Sequence, residues 1–328
     1  MSSKKLFMND NPLLNTFNTY ASVLSIISRD NTNISPWLYN NFIQIRYVHD
    51  WNTYFFDNHH HIFNNCPWIN HHVIPGTIIK NKWTSLHEFI IDAINESRYV
   101  YLYVDRYYIP ASKAYQKNHN WHEIFIFGYD LEKSTFHVAD NIQEGKYIHT
   151  ECTFSELDEG YNALNSDNEF FQNVHLLSIK EEHEYKFNLQ QIALTLENYV
   201  YSKPTIDMSF KEESTFGIGA LNLTIEAAIN YDQCSFRFDK RAFHLFWEHK
   251  KMMILRLEYM YQSSLIPNGL ELINNYKELE SSYLMLRNLV IKYNITNKNT
   301  LRQQIIEIFK SNINKEKEVI YNILCEIQ

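Results

Sequence analysis

An α+β fold is the class this sequence predicts, and three features predict it. Amphipathic helical segments recur through the first hundred residues. Short runs rich in Tyr, Phe, Val and Ile occupy the middle, and from about Gln190 a helical period resumes and continues to the end. Helices, then a block of strands that can pair as hairpins, then more helices is the order of an α+β chain, not of a parallel βαβ one.

Ser22–Ser28 reads as a short helix with Val23, Leu24 and Ile27 on one face, capped from upstream by Asn18 and Thr19 and stopping at Asp30-Asn31. A second helix is expected near Ser35-Pro36, where proline suits a first turn. Ser85–Ser97 repeats the pattern with Leu86, Phe89, Ile90 and Ala93. The period then changes. Tyr99–Val104, His122–Tyr129 and Ser134–Ala139 read as strands, the last two joined through the turn-like Asp130-Leu-Glu-Lys, and Val174–Ile179 reads as another. In the second half Phe243, Phe246, Trp247, Met253, Ile254 and Leu257 make the apolar side of a helix between Asp239 and Tyr261. Glu271–Tyr293 and Leu301–Ile327 are two further long helices, separated by Asn294–Thr300. The expected division is a first domain over 1–185 and a helical domain over 186–328, with the break where charges gather near Glu181–Tyr185.

The 328 residues carry 30 Lys+Arg against 38 Asp+Glu, a formal charge of −8, which argues against a general nucleic-acid binder. With 21 Phe, 23 Tyr and 6 Trp a large core is available, so disorder is not expected. No apolar stretch approaches the roughly 18 residues of a membrane span. Lys4-Lys5 is not followed by an apolar region before Asn9-Asp10, so no secretory leader is read and a cytoplasmic setting is expected. Cys66, Cys152, Cys234 and Cys325 are scattered without any CxxC pair, the pattern of idle thiols in a reducing compartment.

The segment with most chemical content is Asn118-His-Asn-Trp-His122-Glu-Ile-Phe-Ile-Phe-Gly-Tyr-Asp130, followed by Phe136-His-Val-Ala-Asp140-Asn141. It puts a histidine at the entrance of one strand and an aspartate at the exit of its hairpin partner, ends that lie side by side in an antiparallel pair. A carboxylate there can hold an imidazole in one tautomer and stabilise its protonated form. The plain alternative is a half-exposed histidine and a turn aspartate with no shared role. A nucleophile for such a pair belongs upstream at a helix start, where unpaired N–H groups favour a thiolate. The Ser22–Ser28 helix lies in the right place, with Asn15 and Asn18 before it as oxyanion donors, yet the stretch Asn18-Thr-Tyr-Ala21-Ser22 holds no cysteine.

These runs, together with Tyr101-Leu-Tyr-Val-Asp-Arg-Tyr-Tyr-Ile-Pro110, resemble the papain-like domain at the N-terminus of butirosin biosynthesis protein H and its relatives. The stretch from Asp239 through Arg256 to Tyr259 is similar to the helical region that follows that domain in the group. The resemblance implies a papain-like domain with a Cys-His-Asp triad that forms amide bonds in nonribosomal peptide biosynthesis. His122 is then the general base and acid, Asp140 its orienter, and Ala21 stands where the cysteine is expected. The resemblance further implies an acyl or peptidyl carrier protein as partner, its phosphopantetheine thioester as donor, and a small amine as acceptor, with no metal or nucleotide cofactor. The abundance of Asn, Ile, Lys, Tyr and Phe suggests an AT-rich bacterial genome and turns the resemblance toward the thioamide-assembling type, for which the acceptor is a diamine such as 1,3-diaminopropane. Ala21 then marks either a natural loss of activity or a Cys-to-Ala replacement that removes the sulfur and keeps the backbone. The intact helix and His/Asp pair favour the replacement. Two other functions stay open, a peptidase or amidase with the same triad and an inactive binding module for a carrier protein or peptide.

Ser22 and Cys66 are weaker nucleophile candidates, the first because one residue of register turns a helical side chain by about 100°. Asp105, Arg106 and Tyr107 are candidates for lining a substrate cleft, although an Asp–Arg pair is as often structural. His59, His60 and His61 with His71-His72 invite a metal, but no carboxylate or thiolate completes a set at recognisable spacing, and exposed polar loops are expected. Gly217-Ile-Gly219 lacks the third glycine of a dinucleotide loop. The Lys250-Lys251 and Lys315–Glu318 charges read as solvated helix faces.

Overall fold

A computed structural model describes residues 2–29, 33–143, 145–165, 168–180, 184–205, 213–231 and 236–327. The chain is α+β and divides into two units, one of 1–33 with 61–184 and another of 34–60 with 185–328. The expected break near residue 185 is where the third crossing falls, though Glu181 and its two successors lie outside the described residues, as does the Asp30-Asn31 helix stop. The expectation that 1–185 forms one domain is corrected by 34–60. There Ile45–Val48 pairs with Thr53–Phe56 and also with Ser214–Phe216, a strand far down the chain. Hydrogen-bonding edges of that kind carry no local sequence signal, so the excursion is invisible to periodicity.

The first unit is built on a sheet whose path runs Ile69–Ile74, Val174–Ile179, Tyr99–Asp105, Trp121–Asp130, Thr135–Gln143, Lys146–Thr153. Every pairing is antiparallel. A short strand, Ser3–Lys5, lies against Tyr129 and its neighbours, and it explains Gly128: a Cβ there would come within 2.6 Å of the Lys4 carbonyl oxygen. The Trp121–Asp130 strand bulges at that point, between its pairings at Ile126 and Gly128. Helices Leu86–Asn95 and Phe154–Asn162 cover one face. The first is capped by Ser85 and the second by a reciprocal box between Thr153 and Glu156. Their Phe89, Ile90, Ile94, Leu157 and Tyr161 pack on Val100, Leu102, Ile124, Ile126 and Val138. Helix Asn18–Ile27 touches the Trp121–Asp130 and Thr135–Gln143 strands, and all ten of its residues are buried. Burial all round, not a one-sided apolar stripe, is why the pattern Val23, Leu24, Ile27 marked this helix but misjudged its start.

In the second unit Leu189–Val200, Gly217–Asn230, Lys240–Gln262, Gly269–Thr296 and Asn299–Ile327 are helices. The strand Ser214–Phe216 interrupts what reads as an unbroken helical half. Asp239 caps the third of these helices through its side chain, and Asn297, with φ of 51°, ends the fourth. Phe243, Phe246, Tyr283 and Phe309 form an aromatic cluster among them. Lys250 is not on a solvated face. Its ammonium is fully buried, paired with Glu316, and donates to His249 Nδ1 at 2.9 Å, while His249 Nε2 donates to the Ile43 carbonyl at 2.8 Å. No helix among the described residues is long and apolar enough to cross a membrane.

Candidate functional site

Within the first unit the site grows from three pieces of chain: the start of helix Asn18–Ile27, the strand pair Trp121–Asp130 and Thr135–Gln143, and the turn after Tyr99–Asp105. The strand register pairs Phe125 with Ala139. His122 lies three residues before Phe125 and Asp140 one after Ala139, at the same end of the strand pair. The pair meets: His122 Nδ1 lies 3.5 Å from Asp140 Oδ1. Asp140 is 1% exposed, whereas the His122 side chain is about a third exposed. Burial pushes the Asp140 carboxyl above the usual carboxylate range, and the neighbouring His122 and Arg106 oppose that rise.

Arg106, one of the three cleft candidates, joins His122 and Asp140. Its Nη2 donates to Asp140 Oδ2 at 2.5 Å and lies 2.8 Å from His122 Nδ1. Its two companions go elsewhere. Asp105 accepts from the Tyr107 and Asn120 amides and from His119 Nδ1, which closes the 106–120 loop. Burial works to raise the Asp105 carboxyl, and those bonds outweigh it and hold it below the ordinary value. Tyr107 stacks on His119 with ring centres 4.6 Å apart. Neither joins His122 and Asp140.

The helix start is four residues earlier than expected, at Asn18, with Phe17 as the capping position. Ala21 is therefore the fourth helical residue. Its amide already donates to the Phe17 carbonyl at 3.1 Å, and the residue is 0% exposed. A thiol placed there would be buried and would not receive a free amide of the helix terminus. Asn18 is also committed. Its Nδ2 donates to the Glu123 carbonyl at 3.2 Å and to Asp140 Oδ1 at 3.3 Å, so both amide hydrogens are taken and it offers no donor to an oxyanion. Asn15 reaches the site's edge through its carbonyl, which accepts from Asn141 at 2.7 Å. Ser22 is buried, donating to Asn18 Oδ1 at 2.6 Å and sharing a bond with the Tyr147 hydroxyl at 3.1 Å. Cys66 is buried too, and burial pushes its thiol up to about 12, so it holds its proton at neutral pH. Cys152 is raised by the same cause, Cys325 belongs to the second unit, and Cys234 lies outside the described residues.

Three contributors escaped the sequence reading. Glu123 brings Oε2 to 3.3 Å from His122 Nδ1 and accepts from the Tyr103 hydroxyl at 2.8 Å. Tyr147 comes from the unanticipated strand Lys146–Thr153, and burial raises its hydroxyl well above the usual range. Tyr101 meets Thr19 at 2.9 Å. Glu123 was visible only as the residue next to His122; alternation sends neighbouring strand side chains to opposite faces, so no sequence signal put its carboxylate beside the imidazole.

The histidine runs are corrected as well. His59–His61 forms a tight turn in which His59 stacks on Phe55, and burial holds the His59 imidazole well below its usual value. His71 lies on the Ile69–Ile74 strand, 2.8 Å from the ring of His175. Among the described residues no group of three or more His, Cys, Asp or Glu is arranged to hold a metal. No protein-family model matches the chain, and no curated protein is significantly similar to it.

Proposed function

We propose that the first unit recognises an acyl group held as a carrier-protein thioester, as the papain-like acyltransferases that its motifs resemble do, and binds it without forming an acyl-enzyme. The convergence of His122, Asp140, Arg106 and the start of the Asn18–Ile27 helix carries this reading, since it places an accessible imidazole over a buried charged pair. Non-covalent binding is favoured because Ala21 has no nucleophile, Ser22 is buried in a bonded network and Cys66 is a protonated thiol. The carrier protein is the partner in this reading, and the thioester already holds the energy that a transfer would need.

A second reading is the amide-forming acyltransferase itself, active once a thiol stands at position 21. The 3.5 Å approach of His122 to Asp140 favours it, and the burial of Ala21 opposes it. One experiment separates the two. The full chain and its Ala21→Cys variant are mixed with acetyl-pantetheine, with and without 1,3-diaminopropane, while binding, thiol release and protein mass are followed. Binding with no thiol release by either protein is the expected result. An acetylated Ala21→Cys protein that yields the amide supports the second reading, and one that yields only acetate supports a hydrolase. Absence of binding by both proteins rejects the proposal.

A further inference from the structure

We infer that His122 acts at this site as a hydrogen-bond donor through Nε2, and not as a base, because Arg106 occupies its other ring nitrogen. A guanidinium has five N–H donors and no acceptor. Arg106 Nη2 stands 2.8 Å from His122 Nδ1 while also donating to Asp140 Oδ2. Two N–H groups cannot face each other at that separation, so Nδ1 accepts, and the single proton of the neutral ring sits on Nε2. In a catalytic triad the carboxylate accepts a hydrogen bond from Nδ1–H, which keeps the proton there and leaves the Nε2 lone pair free to abstract one. Here the guanidinium is inserted between the carboxylate and the imidazole, and the tautomer is the opposite one.

The groups that compete for a proton on Nδ1 are the Glu123 carbonyl at 3.1 Å, Glu123 Oε2 at 3.3 Å and Asp140 Oδ1 at 3.5 Å, each farther away than Arg106. The strand Thr135–Gln143 supplies Asp140, the strand Trp121–Asp130 supplies Glu123, and the helix supplies only the uncharged Asn18. The charge-assisted bond to buried Asp140 keeps Arg106 in place, its side chain being 10% exposed. Nε2 bonds nothing among the described residues, and the ring is 32% exposed, so its N–H is open to an acceptor oxygen of a ligand. A thioester carbonyl is such an acceptor. That identification rests on the proposed function, whereas the tautomer does not.

The test uses the full chain with its histidines labelled with ¹⁵N. Long-range ¹H–¹⁵N correlations are recorded at about pH 8, where an unperturbed imidazole is neutral, and His122 is assigned by its loss in His122→Gln. An unprotonated Nδ1 with a protonated Nε2 is expected, and a protonated Nδ1 overturns the inference whatever the protein binds. A titration with acetyl-pantetheine then reads the donor role. His122→Gln, whose amide N–H stands in for Nε2–H, is expected to bind within about threefold of the parent chain, and His122→Phe about tenfold more weakly. Equal affinity of all three proteins rejects the ligand-facing role. No binding by the parent chain rejects the proposed function, and the spectrum still decides the tautomer.

Discussion

Asn18 Nδ2 donates to Asp140 Oδ1 at 3.3 Å, tying the first residue of a buried helix to a carboxylate in a central strand. The same amide nitrogen bonds the Glu123 carbonyl, and Asn18 Oδ1 receives the Ser22 hydroxyl. Replacing Asn18 with Ala strands several buried polar atoms at once. A loss of about 1–3 kcal/mol in unfolding free energy is expected, read by urea denaturation. A loss below a few tenths would mean that the cluster is loosely held.

Arg106→Leu leaves Asp140 as an unpaired buried carboxylate. A cost of about 3–5 kcal/mol is expected at neutral pH. The pH dependence has a definite sign. Burial already raises the Asp140 carboxyl, and loss of the opposing Arg106 raises it further. A group whose folded value exceeds its unfolded one loses stability as pH rises through that window. Denaturation at about pH 5 and about pH 7.5 is therefore expected to find the variant closer to the parent chain at the lower pH. A gap that widens on acidification contradicts the argument.

In the second unit burial pushes the Asp57 carboxyl up to about 7, against bonds from the Asn58 amide and the Thr205 hydroxyl and the charge of Arg46. The folded state then binds a proton that the unfolded state releases near pH 4. Stability is expected to fall between about pH 4 and about pH 7, by on the order of a few kcal/mol, and Asp57→Asn flattens that slope. Melting curves of both proteins across this range provide the check.

Lys250 and Glu316 are both 0% exposed, and Tyr283 gives a hydroxyl to the same carboxylate. Lys250→Met alone leaves a buried charge and is expected to cost about 3–5 kcal/mol. The double variant Lys250→Met/Glu316→Leu removes both charges and is expected to recover most of that loss. Equal destabilisation of single and double variants, measured by denaturant unfolding, would contradict this and show that the ion pair itself stabilises the fold.

The legible parts of the sequence are those whose signal is local. His-Glu-Ile-Phe-Ile-Phe-Gly-Tyr and Ser-Thr-Phe-His-Val-Ala alternate or run apolar because both faces of their strands are covered, and they appear as Trp121–Asp130 and Thr135–Gln143. Lys146–Thr153 went unread because it is an edge strand. Its pairing with the Thr135–Gln143 strand is made by backbone groups, and its side chains are mostly polar and partly exposed. The His122 and Asp140 pairing was readable because a hairpin converts sequence separation into adjacency. Arg106 was visible as a residue and not as a role.

Periodicity and turn chemistry thus determined the α+β class, the central hairpin, the three long C-terminal helices and the meeting of His122 with Asp140. Tertiary structure alone decided that 34–60 joins the second unit, that Lys250 is buried against Glu316, that Ala21 is inside its helix and that a guanidinium stands between imidazole and carboxylate. The physical reason is one of range. Hydrophobic period and capping act between residues a few positions apart, whereas desolvation, charge pairing and the choice of tautomer depend on which distant groups arrive at the same few ångströms.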